Sequence, residues 1–332
     1  MKKTLISLAV LAASTGAFAQ SSVTLYGTAD AGVGKLENGK VGMMTNSMVN
    51  TSDSFLGFRG TEDLGGGLKA GFRFEQGINL RDGSTDNAPT SYHGTKTTWQ
   101  RAAGVWLGGN WGTLQLGRAY APSRNALANW DLTGGARNSV NMMTFGVVGH
   151  NAGEQNSSQF SYKTPDFGGF AAELGYVFKP DNEGHSKVDL GLTYNNGPLR
   201  AGISYNKVKS AKANYALGAQ YQFGMFALAA GYHSAYNGYY FDENGPVAGS
   251  TGGNRGFSLG GKVNFGAASV LLDVVRETKS TYEVGGVSYK GKKQTNGLLE
   301  GRYAFSKRTF VYANYVRYGG GNNYGIGMRH DF

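Results

Sequence analysis

The chain has no cysteine among its 332 residues. That excludes a disulfide framework, a Cys-based zinc site and any thiolate chemistry. Proline is scarce, at six. Each falls between apolar runs rather than inside one, as expected of strands paired on both sides. Charged residues make up only 16%. Past the first twenty residues no apolar run reaches 18, so a membrane-spanning helix is excluded. Glycine and aromatics are abundant instead: 54 Gly, 20 Tyr and 18 Phe. Such usage suits tight turns, curved strands and aromatic belts at a bilayer surface.

Both ends of the chain carry an address. Lys2 and Lys3 form a positive start, Leu5 to Ala13 an apolar stretch, and Ala17-Phe18-Ala19 a small-x-small cleavage site. Residues 1–19 are therefore expected to be a cleaved signal peptide, with one barrel domain over 20–332. At the other end Tyr324, Ile326, Met328, His330 and Phe332 occupy every second position, and the chain stops on the Phe. Period two marks one face of a strand. An apolar and aromatic face opposite Gly, Arg and Asp suits a closing strand with lipid on one side and water on the other.

Between these ends, alternation yields sixteen candidate strands. They fall near 22–33, 54–62, 68–76, 99–108, 113–118, 158–164, 170–179, 187–195, 199–207, 213–222, 226–235, 256–264, 268–277, 295–304, 309–317 and 324–332. Seven connections are short (63–67, 109–112, 165–169, 196–198, 223–225, 265–267 and 305–308), mostly filled by Gly, Asn or Pro. The connections between them are generally longer, 120–157 being the longest. Short and long connections in alternation describe an up-and-down barrel, with all the short turns at one rim. An even strand number returns both termini to that rim.

One face is charged in strand after strand. Val23, Leu25, Gly27, Ala29 and Ala31 alternate with Thr24, Tyr26, Thr28 and Asp30; Leu68, Ala70, Phe72 and Phe74 with Lys69, Arg73 and Glu75. A charge on the lipid side costs about 2–4 kcal/mol near the midplane, so the charged face must line the interior. Sixteen strands leave a water-filled bore.

Several stretches resemble the Gram-negative trimeric porins, general diffusion channels of the outer membrane. They are Val23-Thr24-Leu25-Tyr26-Gly27, the run from Phe55 to Ala70 (FLGFRGTEDLGGGLKA), Gly112 to Arg118, Ser161 to Phe170, and the C-terminal strand. The resemblance implies a sixteen-stranded antiparallel transmembrane barrel with short periplasmic turns, long extracellular loops and a third loop folded inward. It also implies a homotrimer in outer-membrane lipid, carrying small hydrophilic solutes and inorganic ions by passive diffusion. The seam of the trimer would include Val23, Leu25, Gly27 and Phe58. Tyr324, Ile326, Met328 and Phe332 would form the signal read by the barrel assembly machinery. The third loop lacks the Pro-Glu-Phe-Gly-Gly motif of the enteric branch, so its tip must be read on its own residues.

Loop 120–157 carries Trp130, Met142, Met143, Phe145, Val147 and Val148 as apolar anchors, and Arg124, Asp131, Arg137, Glu154 and His150 as its few polar charges. The expected constriction sets a basic wall of Arg59, Arg73, Arg118 and Lys163 against Asp131 and Glu154 on the loop. Arg118 has the parity of Leu114 and Leu116 and needs a bulge to turn inward; Arg101 is ambiguous and stays outside the set. The whole chain is formally +10, and loss of Lys2 and Lys3 leaves 30 basic against 22 acidic residues, +8. These charges are scattered over strands, which fits a positive pore and modest anion preference rather than nucleic-acid binding. No GxSxG elbow or HExxH pattern points to an enzyme, and no cofactor or metal is expected. A barrel-borne hydrolase and an adhesin or receptor barrel are the competing readings.

Overall fold

The computed structural model describes residues 22–85, 98–145, 154–182, 184–209, 211–238, 241–242, 245–246 and 251–332. Sixteen antiparallel strands form the wall. The first five are β1 (Ser22–Lys35), β2 (Phe55–Gly65), β3 (Leu68–Gly77), β4 (Ala102–Gly109) and β5 (Gly112–Tyr120). The next six are β6 (Gln155–Lys163), β7 (Phe170–Val177), β8 (Lys187–Asn196), β9 (Leu199–Val208), β10 (Asn214–Phe223) and β11 (Phe226–Gly238). The last five are β12 (Thr251–Phe265), β13 (Ala268–Val284), β14 (Thr295–Ala304), β15 (Thr309–Tyr318) and β16 (Gly321–Asp331). Every strand expected from alternation is present. The largest boundary differences are at β12 and β13, which run further toward the long-loop rim; β4 starts only at Ala102, after Arg101.

Each strand pairs with its chain neighbour, and β1 also pairs with β16 from Thr28↔Asp331 to Lys35↔Tyr324. The barrel is closed. Phe332 completes the seam by exchanging two backbone hydrogen bonds with Gly27, each 3.0 Å. Closure leaves no strand edge to satisfy, which is what allows a sheet to sit in hydrocarbon.

Burial is inverted relative to a water-soluble protein. Val23, Leu259 and Ile326 are 64–66% exposed, whereas Asp30, Lys187, Asp189, Asp273 and Glu300 are at most 2% exposed. The apolar outer surface needs lipid as its solvent, and the polar interior needs internal partners or water. Tyr324, Ile326, Met328 and Phe332 all lie on that outer face, at 43–64% exposure. Among the described residues no helix is long and apolar enough to cross a membrane.

Alternation does not reveal two helices in the third loop, α1 (Pro122–Trp130) and α2 (Val140–Phe145). Nor does it show four short strand pieces outside the sixteen: Gly42–Met44 on β1, Val287–Lys290 on β13, and Phe241–Asp242 paired with Gly245–Pro246.

Candidate pore constriction

The third loop enters the barrel because the wall has been cut away to receive it. Gly202, Gly218 and Gly231 lie side by side on the inner faces of β9, β10 and β11. A Cβ at Gly202 would land on the Ala126 carbonyl of α1, and a Cβ at Gly218 or Gly231 on the Trp130 ring. The same relation joins Gly191 to Pro122, and Gly260 to Leu132. Any larger residue would push the helix toward the axis. Trp130, Leu127, Leu132, Val140 and Met142 pack into one buried cluster against this seat, with Met143 partly buried beside it. The expected anchoring by Trp130, Met142 and Met143 is therefore present; Val147, Val148 and His150 lie outside the described residues.

Polar ties hold the loop along its length. The N–H of Ser123 donates to Asp189 Oδ1 (2.6 Å), Ser204 Oγ to the Ser123 carbonyl (2.7 Å) and Asn129 Nδ2 to the Ala201 carbonyl (2.8 Å). Farther along, Asn141 Nδ2 donates to Asp273 (2.7 Å), Asn296 Nδ2 to the Thr144 hydroxyl (2.8 Å), and the Tyr318 hydroxyl to the Met143 carbonyl (2.9 Å).

Asp131 belongs to this framework rather than to the pore. It is 2% exposed and accepts hydrogen bonds from Thr133, the Gly135 N–H, Ser139 and Asn141. A carboxylate surrounded by donors at a helix end organises the turn that follows. It does not present its charge to solutes. Asp30 is similar: fully buried, it takes hydrogen bonds from Asn50, Thr51, Ser52 and Tyr312 and pins the first loop to the wall.

The polar space left open is a cavity of about 300 Å³ lined by Arg101, Arg124, Arg137 and Arg329 with Asp53, Glu154, Tyr120 and the 133–136 turn. Arg101 is central. Its Nη1 stands 3.3 Å from Asp53, its Nε 3.6 Å from Glu75, and its Nη2 donates to the Tyr120 hydroxyl at 3.0 Å. Its guanidinium lies 4.5 Å over the Phe55 ring. Arg137 Nε is 3.5 Å from the other Asp53 oxygen, and Arg124 Nε is 3.4 Å from Glu154 while its plane covers Tyr120 at 4.2 Å. Four guanidiniums and two carboxylates, Asp53 and Glu154, line this space, while Glu75 and Asp331 pair with Arg101 and Arg329 at 3.6 and 2.9 Å.

Arg59 and Arg73 continue the basic surface down the wall as a directly opposed pair on β2 and β3. Tyr26 links them: its ring sits 4.7 Å under the Arg59 guanidinium and its hydroxyl donates to Glu75 at 2.8 Å, itself 3.7 Å from Arg73. Arg59 and Arg73 thus stand together on the inner face of β2 and β3, and Glu154 stands beside Arg124 at the cavity.

Two other expected members stand elsewhere. A bulge is present where β5 meets β6, but its extra residue is on β6: Ser157 and Ser158, the latter at φ +50°, together face Arg118. Even so, Arg118 turns to the Gln100 carbonyl and the Ser157 hydroxyl (2.6 Å), two acceptors beside its own strand, and does not line the cavity. Lys163 does face inward, but at the short-turn end, opposite Glu173 and under α1. Alternation misses Arg101 because it precedes the regular part of β4. It misses Arg329 because the terminal strand is read for its outer face. Arg124 and Arg137 are noticed only as loop charges, since nothing local says which way a loop side chain turns.

A closed barrel with a lipid-facing apolar exterior and a charged interior, narrowed by an inserted loop, is an outer-membrane diffusion channel. Comparison with known proteins agrees. The profile of the Gram-negative porin family matches residues 7–323. Over 252 residues the chain is 38% identical to outer membrane porin protein 32 of Delftia acidovorans, covering 69% of this chain and 68% of that one. It is 33% identical over 205 residues to the major outer membrane protein P.IB of Neisseria gonorrhoeae, spanning 59% of this chain and 54% of that one. The solved structure of an anion-selective porin from Comamonas acidovorans superposes with a TM-score of 0.72 at 26% identity, over 94% of this chain and all of that one. The chain belongs to the Gram-negative porin family. It resides in the outer membrane and passes small hydrophilic solutes and ions by passive diffusion.

Proposed function

We propose that the channel prefers anions, and that the constriction producing this preference consists of Arg59, Arg73, Arg101, Arg124, Arg137 and Arg329, with Glu154, Glu75, Asp53 and Asp331 as counter-charges. The observation that carries the reading is the excess of these six guanidiniums over the four carboxylates among them. Fixed cations in a narrow bore with low-dielectric walls concentrate the opposite ion and repel cations. Each guanidinium is held by a carboxylate, a tyrosine or a carbonyl, so it does not fold away when a solute passes. Contacts at several weak positions suit conduction better than one tight site. The anion-selective Comamonas relative supports the same sign. Reversal potentials across planar bilayers in a KCl gradient test it: the wild type should read anion-selective, and cation preference would overturn the assignment.

The same reading takes the chain to be a channel without enzymatic activity, cleaved after Ala19 and assembled as a homotrimer. The trimer seam would use the exposed Val23 and Leu25, with Gly27 and Phe58 beside them. Mass measurement in mild detergent should return three chains. The outward stripe of Tyr324, Ile326, Met328 and Phe332 is taken as the signal for the assembly machinery. Phe332→Ser should lower outer-membrane levels several-fold yet leave the selectivity of the inserted fraction unchanged; normal levels would refute that role.

A further inference from the structure

A second basic cluster lies in the bore toward the short-turn rim, on the inner faces of β14, β15 and β16. Arg302 shares its face with the buried Glu300, Phe310 shares its face with the buried Tyr312, and Arg329 lines the constriction cavity. Phe310 pairs directly with Arg329 on one side, and Tyr312 pairs with Arg302 on the other. Two guanidiniums therefore flank one ring from the neighbouring strands, 5.0 and 5.8 Å from its centre. An apolar ring on the wet face of a strand needs a reason. Seating the third loop does not supply it, since Phe310 stands outside the buried cluster that holds the loop.

The two arginines are held alike. Arg302 Nε donates to Glu300, a buried carboxylate that also accepts from Asn138 of the third loop. Arg329 Nε donates to Asp331 at 2.9 Å, and Asp331 also accepts from the Thr28 hydroxyl at 2.7 Å. Each carboxylate thus takes only the Nε edge and is committed elsewhere as well. Among the described residues, the Nη groups of Arg302 and Arg329 have no hydrogen-bond or ion-pair partner. Both side chains remain 22–25% exposed. Arg101 at the constriction is the opposite case: Asp53, Glu75 and Tyr120 engage its Nη1, Nε and Nη2.

Free Nη donors on either side of a ring select a shape as well as a charge. A halide or a short aliphatic carboxylate can use the donors but leaves the ring idle. A flat aromatic carboxylate uses both: its oxygens take the Nη groups, and its ring stacks on Phe310 or on a guanidinium plane. We propose that Arg302, Arg329 and Phe310 form a binding station for aromatic carboxylates between the constriction and the short-turn exit. The station rests on the anion preference proposed above and names the anions that gain most from it. Because Arg329 also lines the constriction cavity, a solute can pass from one set of donors to the next.

The test uses the folded channel in planar bilayers. The probes are potassium benzoate and potassium cyclohexanecarboxylate, equal in charge and close in size, one flat and one puckered. A bound anion keeps chloride from the same donors, so each probe should lower the chloride current, and the concentration that halves it is the readout. For wild type that concentration should be about fivefold lower for benzoate, the advantage of one aromatic contact. Phe310→Leu should abolish the difference between the two anions. Arg302→Gln should raise the benzoate concentration several-fold, and it carries the test if Phe310→Leu does not insert. Equal values for the two anions in wild type would overturn the proposal. So would a benzoate advantage that survives Phe310→Leu, or a benzoate value unchanged in Arg302→Gln. Anion preference itself is read in KCl without either probe, so its failure and the failure of the station are separate results.

Discussion

The two sides of the bore are built on opposite plans. On β8 to β12 the inner wall is stripped to glycine where the loop lies, and what fills the space is dry: Trp130, Leu127 and Leu132 against backbone. On β16, β1, β2, β3 and the start of β4 the wall carries Arg329, Tyr26, Arg59, Arg73, Glu75 and Arg101, and stays wet. The first side decides where the obstruction sits, because a helix can come only as close as the side chains beneath it permit. The second decides what the remaining opening favours, because charge survives only where water or partners solvate it. Position and selectivity are thus separable properties of one constriction, assigned to different strands.

Breaking the dry side should have the largest effect. Trp130→Ala leaves a hole in the loop's seat worth about 3–5 kcal/mol; a lower melting temperature and noisier, larger single-channel openings should follow. Gly218→Leu should give the same phenotype from the wall, through collision with the indole. The double variant should cost less than the two single changes together, because the new leucine occupies the space the indole vacates. Strict additivity would show that the two do not share a site.

On the wet side, Arg101→Gln should reduce anion preference more than any single change in the wall. It removes a central positive charge and leaves Asp53 and Glu75 without their shared partner. Reversal potentials in a KCl gradient should move toward zero, while unit conductance changes little. An unchanged potential would move the selectivity elsewhere.

Two carboxylates of the loop sharpen the comparison further. Asp131→Ala removes the acceptor of four hydrogen-bonding groups and should loosen the loop by about 1–3 kcal/mol, with the selectivity keeping its sign. Glu154→Gln, at the cavity edge, should do the reverse: stability unchanged within about 0.5 kcal/mol and anion preference raised. The smallest effect is expected at Lys163. Lys163→Gln alters a charge at the short-turn mouth, outside the cavity, and at about 0.15 M salt its field is screened over roughly 8 Å. Its reversal potential should be indistinguishable from wild type.

Much of this architecture is legible in the sequence, and the reason is that its signals are local. A strand in a barrel wall has lipid on one face and water on the other, so alternation in Val23–Ala31 or Leu68–Glu75 assigns both faces within a few residues. The same alternation places Arg59, Arg73 and the outward stripe to Phe332 correctly. Short connections rich in Gly, Asn and Pro separate one rim from the other. Strand number, closure and the membrane address all follow from such patterns.

The constriction does not, because it is made where regularity ends. Arg101 and Arg118 both flank strand ends, where parity lapses; hydrogen-bond partners turned the first to Asp53 and Tyr120 and the second to Gln100 and Ser157. Asp131 looked like a pore charge until its donors, all from the following turn and α2, came into view. By itself the sequence determined a closed, water-filled barrel with a charged interior, since alternation and charge act residue by residue. Only the tertiary structure decided which arginines meet and how far the loop enters. Trp130 finds its seat on Gly202, Gly218 and Gly231, residues some seventy to a hundred positions away, and no period along the chain records contacts of that range.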